Sequence, residues 1–304
     1  MTVVVFGSIN MDLVVRTARF PQPGETLHGQ TFFTAPGGKG ANQAVASARL
    51  GVLTRMVGRV GQDVFSSTLL ESLQQDGVDI SGVLQDPDQP SGTAVIMVDD
   101  QAENQIVIVA GANGAVGDPD LARLDQALQG AGQLLLQLEV PMDAVQAAAR
   151  LAHEQGVTVI FDPAPVRPLP DKLYSYIDLL TPNESEASAL VGFTVQDEAS
   201  AAKAARVLLE RGVHQVVIKM GGRGAYWHDG QQGVFLPVFK VNPVDTVAAG
   251  DAFNGALAAG LAEGLPMQEA LRWGMAGGAI STTRIGAQPS LANREELLSL
   301  LKNG

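Results

Sequence analysis

Asp245-Thr246-Val247-Ala248-Ala249-Gly250-Asp251-Ala252-Phe253-Asn254-Gly255 sets two carboxylates around a run of very small residues. Downstream, Phe253, Ala256, Leu257, Gly260 and Leu261 recur on one face at helical spacing. The small residues therefore fall at a helix start, where the first backbone N–H groups have no partner inside the helix. Short side chains leave those groups open to a ligand, and the helix dipole favours negative charge there. Asp251 falls in the first turn, beside that anion site. A carboxylate so placed suits deprotonation of an alcohol next to a phosphate. The same pattern also serves ordinary helix capping and tight α/β packing, and the stretch alone is open to both readings.

Outward from it the chain reads as alternating strands and helices. Val3-Val4-Val5-Phe6 predicts a buried strand, and Met56-Val57-Gly58 and Ile80 to Leu84 predict two more. Strands follow at Leu134 to Glu139, Val157 to Phe161, Ile177 to Leu180 and Val216 to Lys219. Helices are expected near 63–75, 118–129, 142–155 and 198–211. Polar or glycine-rich sequence recurs after the strands: Asn10 and Asp12, Glu139, Asp162, Asn183-Glu184-Ser185-Glu186 and Gly221-Gly222-Arg223-Gly224. Open α/β sheets bind ligands at that edge. Acids there can be caps or solvated turns; beside polyphosphate they would hold Mg²⁺, directly or through water.

Two stretches break the alternation. Leu13 to Ala35 and Thr93 to Val109 carry short strand-like runs, the second a hairpin by pattern. They predict a small antiparallel excursion, too small to stand alone, packed on the body or on another subunit. Between them Pro36-Gly37-Gly38-Lys39-Gly40-Ala41-Asn42-Gln43 enters a helix. It is not a Walker A loop, because Phe33 replaces the leading glycine and Gly40 the Ser/Thr. It still allows close backbone approach to a ligand, with donors on Lys39 and Asn42.

The totals exclude other chemistries. The 304 residues include no cysteine, so disulfides, thiolate nucleophiles and cysteine-based zinc sites are absent. The four histidines show no metal-ligand spacing. A net charge of −12 argues against nucleic acid or an acidic membrane as partner. No apolar run long enough for a membrane helix and no basic-then-apolar leader is apparent, so a cytoplasmic setting is expected. No Gly-x-Gly-x-x-Gly follows the first strand, against a dinucleotide-binding oxidoreductase.

Taken together, Gly7 to Asp12, Pro36 to Ala44, Gln137 to Pro141, Thr181 to Glu186, Asp245 to Gly255 and Gly286 to Ser290 resemble the ribokinase-like family of carbohydrate kinases. The resemblance spans nearly the whole chain. It implies an α/β, three-layer α/β/α ribokinase-like fold with a mainly parallel central sheet and a small β-sheet lid. Residues 1–304 would form one kinase domain, with the lid made by segments about 13–35 and 92–110 and often serving as a homodimer contact. The implied reaction is ATP-dependent phosphorylation of the 5-hydroxyl of D-ribose. Deoxyribose or another sugar or nucleoside is the alternative acceptor. A non-catalytic sugar-sensing protein is the reading of another class, and the intact Asp251 with its helix start argues against it.

Carried over residue by residue, Asn10, Asp12, Gly38, Lys39, Asn42 and Glu139 would hold sugar hydroxyls, with Asp251 as catalytic base. The amides of Ala248, Ala249, Gly250 and Asp251 would form an anion hole. Asn183 and Glu186 would organise the Mg²⁺–phosphate end, Glu186 through water. Lys219, Gly221, Gly222, Gly224 and Gly250 would border ATP. A monovalent cation, usually K⁺, would take the Asp245 side chain, the carbonyls of Val247, Ser281, Arg284 and Gly286, and the Ser290 hydroxyl. The small, glycine-rich run Gly274 to Gly278 would lie near the adenine pocket.

Overall fold

A computed structural model describes residues 1–101 and 103–303. Ala102, inside the expected 92–110 segment, and Gly304 lie outside the described residues. The strands in chain order are β1 (Thr2–Phe6), β2 (Asn10–Arg16), β3 (Thr31–Gly37), β4 (Thr54–Gly61), β5 (Val78–Asp86), β6 (Gly92–Val98) and β7 (Asn104–Val109). They continue as β8 (Ala131–Leu136), β9 (Thr158–Phe161), β10 (Leu179–Leu180), β11 (Gln215–Lys219), β12 (Gly224–His228) and β13 (Gly233–Pro237). A nine-stranded sheet runs β13-β12-β11-β10-β9-β8-β1-β4-β5, and a four-stranded one runs β3-β2-β6-β7. From β5 to β11 the large sheet is parallel. The β12–β13 hairpin closes its edge antiparallel.

Strand β1 shows why the fold is layered. Val3 and Val5 enter one core with Val45, Leu257 and Ala276, while Val4 and Phe6 enter the other with Leu124, Ala148 and Leu208. Successive strand side chains point to opposite faces, and both faces are covered by helices. A central parallel strand therefore reads as an unbroken apolar run. This is the expected α/β architecture with a mainly parallel central sheet.

Local differences have physical reasons. The strand expected through Glu139 ends at Leu136. Gln137 and Glu139 thus leave the sheet; Gln137 bonds Gln43 in the Lys39–Arg49 helix, and Glu139 bonds Ser8 in the loop after β1. The strand expected from Ile177 shrinks to Leu179–Leu180, because Asp178 turns its carboxylate onto the Val159 amide at 2.7 Å. The small sheet is not purely antiparallel. Its two halves join through a parallel β2–β6 pair, from Asn10 opposite Gly92 to Arg16 opposite Val98. Strand β2 begins at Asn10 and β3 runs to Gly37, so the polar residues around Asn10 and Asp12 stand at the root of this sheet.

Helix packing sets the position of the opening stretch. The Ala249–Ala262 helix crosses the Lys39–Arg49 helix at Gly255. A Cβ on Gly255 would stand 2.5 Å from Ala46 Cβ and 2.7 Å from the Gln43 carbonyl oxygen. Only glycine permits this approach, which brings Asp251 beside Asn42 and Gln43. Gly255→Val is expected to lower the unfolding free energy by about 1–3 kcal/mol, the usual cost of overpacking. It should appear as a lower urea midpoint; an unchanged midpoint would mean that the helices separate freely.

Candidate active site

The site lies at the carboxyl edge of the large sheet, between the starts of the Lys39–Arg49 and Ala249–Ala262 helices. A cleft of about 1030 Å³ is lined by Lys39, Asp162, Asn183, Glu186, Lys219, Gly221, Gly222, Gly224 and Ala248 to Asp251. Its far wall is Val238 to Val241, Met275, Gly278, Ala279 and Thr282.

Beside it stands a polar cluster. Glu139 Oε2 accepts from Ser8 Oγ at 2.5 Å and from the Lys39 amide at 3.0 Å. Asn10 Oδ1 accepts from Asn113 Nδ2 at 2.7 Å, and Asn113 also bonds both backbone groups of Ile9. Gly38 sits at φ 89°, where a Cβ would come within 2.7 Å of the Asn10 amide nitrogen. Asn42 Nδ2 donates to Asp251 Oδ2 at 3.0 Å, while the buried Asn42 Oδ1 has no partner among the described residues. A buried acceptor left unpaired suits a hydroxyl donor from a ligand. Burial, then Glu139 and Asp251, push Asp12 up to about 7.

Asp251 is only 5% exposed. Its Oδ1 accepts from Gln43 Nε2 at 3.1 Å. Burial raises its proton affinity, opposed by Lys39 and by the Asn42 and Gln43 amides. Burial also works against charge on Lys39, but Asp251, Asp162, Glu139 and Glu186 more than offset it and hold its pKa above the ordinary lysine range. Ala248, at φ 59°, caps the helix in the left-handed region. The Ala249 amide leans on the Thr246 carbonyl at 3.3 Å, whereas those of Gly250 and Asp251 meet no backbone acceptor among the described residues. Those two amides, with that of Ala248, are the open part of the expected anion hole.

At the other end Asp162 pairs with Lys219 Nζ at 3.0 Å. A Cβ on Gly250 would lie 3.3 Å from that ammonium, which places Lys219 against the helix start. Asn183 and Glu186 form a reciprocal cap, with Asn183 Oδ1 taking the Glu186 amide at 2.9 Å and Glu186 Oε2 the Asn183 amide at 2.7 Å. The other oxygen, Oε1, remains for the cleft. Burial raises the Glu186 pKa, with Lys219 pulling against it.

Part of the expected cation loop is joined through Asp245. Asp245 Oδ1 accepts from the Val247 amide at 3.0 Å and Oδ2 from the Gly286 amide at 2.9 Å, clamping two loops. Ser290 gives its proton to the Ala287 carbonyl at 2.7 Å, which leaves its lone pairs free. The Arg284 guanidinium is drawn away to Glu296. The groups expected there are all oxygen donors, the kind that suits a hard cation.

The profile of pfkB family carbohydrate kinases matches residues 1–294. The chain belongs to this carbohydrate kinase family. It is 40% identical to a ribokinase of Haemophilus influenzae over 302 residues, 99% of each chain. It is 36% identical to a deoxyribokinase of Salmonella typhi over 304 residues, again 99% of each. A crystal structure of Arabidopsis thaliana ribokinase complexed with ribose and ATP superposes with a TM-score of 0.91 at 35% identity, covering 99% of this chain and 98% of that one.

The structure also brings in residues whose family motifs give no hint of their contacts. Asn113 braces Asn10, Ser8 braces Glu139, and Gln43 and Asp162 reach Asp251 and Lys219. The Gly274 to Gly278 run divides by helical face. Gly274 packs on Phe253 and Gly277 on Ala256, so those two serve the helix contact; Met275 and Gly278 line the cleft.

The Asp12 shift has a stability consequence. Its pKa rises from 3.8 to about 7 on folding, so the folded state binds the proton more tightly than the unfolded chain. Stability from this group therefore falls as pH rises through that window. Asp12→Asn removes the loss, so its urea midpoint should gain on that of the parent between about pH 5 and pH 8. Equal offsets at both pH values would contradict the assignment.

Proposed function

We propose that the chain catalyses transfer of the γ-phosphoryl group of ATP to the 5-hydroxyl of D-ribose, giving ribose 5-phosphate and ADP. The observation that carries this reading is the buried Asp251 carboxylate beside the open Gly250 and Asp251 amides, between a polar cluster and a nucleotide-sized cleft. The similarity to ribokinases, one of them solved with ribose and ATP, supports the substrate pair.

In this reading Asn10, Asp12, Gly38, Lys39, Asn42 and Glu139 hold the sugar. Asp251 accepts the hydroxyl proton as the new O–P bond forms and the bond to the β-phosphate bridging oxygen breaks, its electrons leaving on ADP. The helix-start amides, Lys39 and Lys219 face the charge on the transferred group. Gly221, Gly222, Gly224 and Gly250 border the nucleotide. Glu186 and Asn183 serve a Mg²⁺ ion, Glu186 through water. Asn183 and Glu186 would hold only part of such an ion's shell, which would leave room for phosphate and water. Asp245, Ser290 and the carbonyls of Val247, Ser281, Arg284 and Gly286 would hold K⁺, which would add positive charge to offset the phosphate.

The chain acts as one kinase unit in the cytoplasm, with the small sheet as lid. Phe32 and Val107 on that sheet are 65% and 63% exposed, and a second copy of the sheet covers them in a homodimer. Deoxyribose is the second acceptor to test, because the Salmonella typhi deoxyribokinase matches the chain end to end.

Asp251→Asn should lower kcat by about 10²–10⁴-fold or more while ribose still binds. Near-parental ribose-dependent ADP release would remove Asp251 as the base. Asp245→Ala should instead raise the K⁺ concentration needed for half-activation, read from ADP release in K⁺ against Na⁺. An unchanged K⁺ response would move the cation elsewhere. Initial rates on ribose, deoxyribose, hexoses and nucleosides decide the acceptor: faster turnover of deoxyribose at equal concentration would overturn ribose.

A further inference from the structure

Gln43 is fully buried and makes no contact assigned above to sugar or nucleotide. Its Nε2 donates to Asp251 Oδ1 and to Asp162 Oδ2, each at 3.1 Å. Its Oε1 accepts from Gln137 Nε2 at 2.7 Å, and Gln137 is likewise fully buried. Chemistry fixes the orientation of this amide. Turned over, its oxygen would face two carboxylates and its N–H groups would face the N–H of Gln137. Both amide protons are therefore directed at acids. One of those acids, Asp162, also accepts from Lys219, the cation against the helix start.

We propose that Gln43 is a positioning residue for phosphoryl transfer: its amide fixes the Asp251 carboxylate and ties it to the Asp162–Lys219 pair, holding base and phosphate-facing cation in one frame. The proposal rests on the reading of Asp251 as the base. A pair of buried glutamines kept only for packing could be apolar at little cost. An amide standing between two carboxylates has an electrostatic effect that packing lacks. It favours the ionised form of each and screens one from the other.

The groups that face Asp251 come from several elements. Lys39 and Asn42 on the Lys39–Arg49 helix favour its charge, as does Gln43. Asp162, after β9, opposes it, and Asp12 on β2 is coupled to it with the same sign. Loss of the Gln43 donor leaves Asp162 unscreened and raises the proton affinity of Asp251. The base acts only when ionised, so the acid limb of the kcat–pH profile should move to higher pH.

The test is kcat for ribose against pH with saturating ATP, Mg²⁺ and K⁺, in Gln43→Met and the parent. The acid limb should move up by about one pH unit, the size of one lost charge-assisted hydrogen bond. Turnover below the limb then falls about tenfold more than on the alkaline plateau. Gln137→Met removes only the group that orients Gln43, and should shift the limb the same way by less. It also keeps the question answerable if Gln43→Met does not fold. A folded variant that loses the same factor at every pH, or loses only thermal stability, overturns the proposal. Asp251→Asn separates the two levels. If it retains turnover, the base assignment has failed; if it is inactive while the Gln43→Met limb stays in place, only the role of Gln43 has failed.

Discussion

Asp12, Glu139, Asp162, Glu186 and Asp251 converge on one sheet edge against the ammonium groups of Lys39 and Lys219. In a chain of net charge −12, that edge repels polyphosphate unless cations offset it. Much of the site's construction answers this excess. Burial raises the proton affinity of Asp12, Glu186 and Asp251, so crowding these carboxylates at one edge is costly without cations beside them. Lys39 is held charged by the acids around it, and Lys219 is pinned by Asp162 against the helix start. In the proposed reading, oxygen donors at Asp245 and Glu186 would take further cations. Binding of an anionic substrate is thereby linked to proton and cation movements, not only to shape.

The helix contact at Gly255 turns this charge pattern into geometry. Backbone meets backbone there, so the first turn of one helix and that of the other share a narrow space. Asn42 and Gln43 on one helix then reach Asp251 on the other with little side-chain freedom. A site built on two rigid helices in contact holds its groups more closely than one built on loops. Bracing by Asn113 and Ser8 does the same for Asn10 and Glu139.

The parts of this molecule that were legible in sequence are those with a local signature. Val3 to Phe6 announces a strand buried on both faces, and the alternation after it announces a parallel sheet between helices. The small residues before Asp251 announce an open helix start. The contacts of Gln43 have no such mark: its partners lie 94 and 208 residues away, and a buried glutamine in a helix looks like any other. The parallel β2–β6 pair was hidden for the same reason: its strands lie about 80 residues apart in the chain, and only antiparallel pairing within each stretch has a local mark. The β12–β13 hairpin is also unmarked: its strand Gly224–His228 is buried on both faces without alternation, and its Asx turn at Asp229 sits among glycines.

Ala248 shows why Asp245 and Asp251 are not interchangeable. It is the one non-glycine residue with positive φ among the described residues. That conformation costs about 1–2 kcal/mol for an L-residue, so the surrounding structure has to impose it. Upstream, Asp245 is clamped to the Val247 and Gly286 amides; downstream, Asp251 is held by Asn42 and Gln43. Were Ala248 helical, the helix would begin earlier and its carbonyls upstream would take up the Gly250 and Asp251 amides. Those amides would then be closed to a ligand. The left-handed residue keeps those amides open and gives the two carboxylates separate partners, the Val247 and Gly286 amides for Asp245 and the side chains of Asn42 and Gln43 for Asp251.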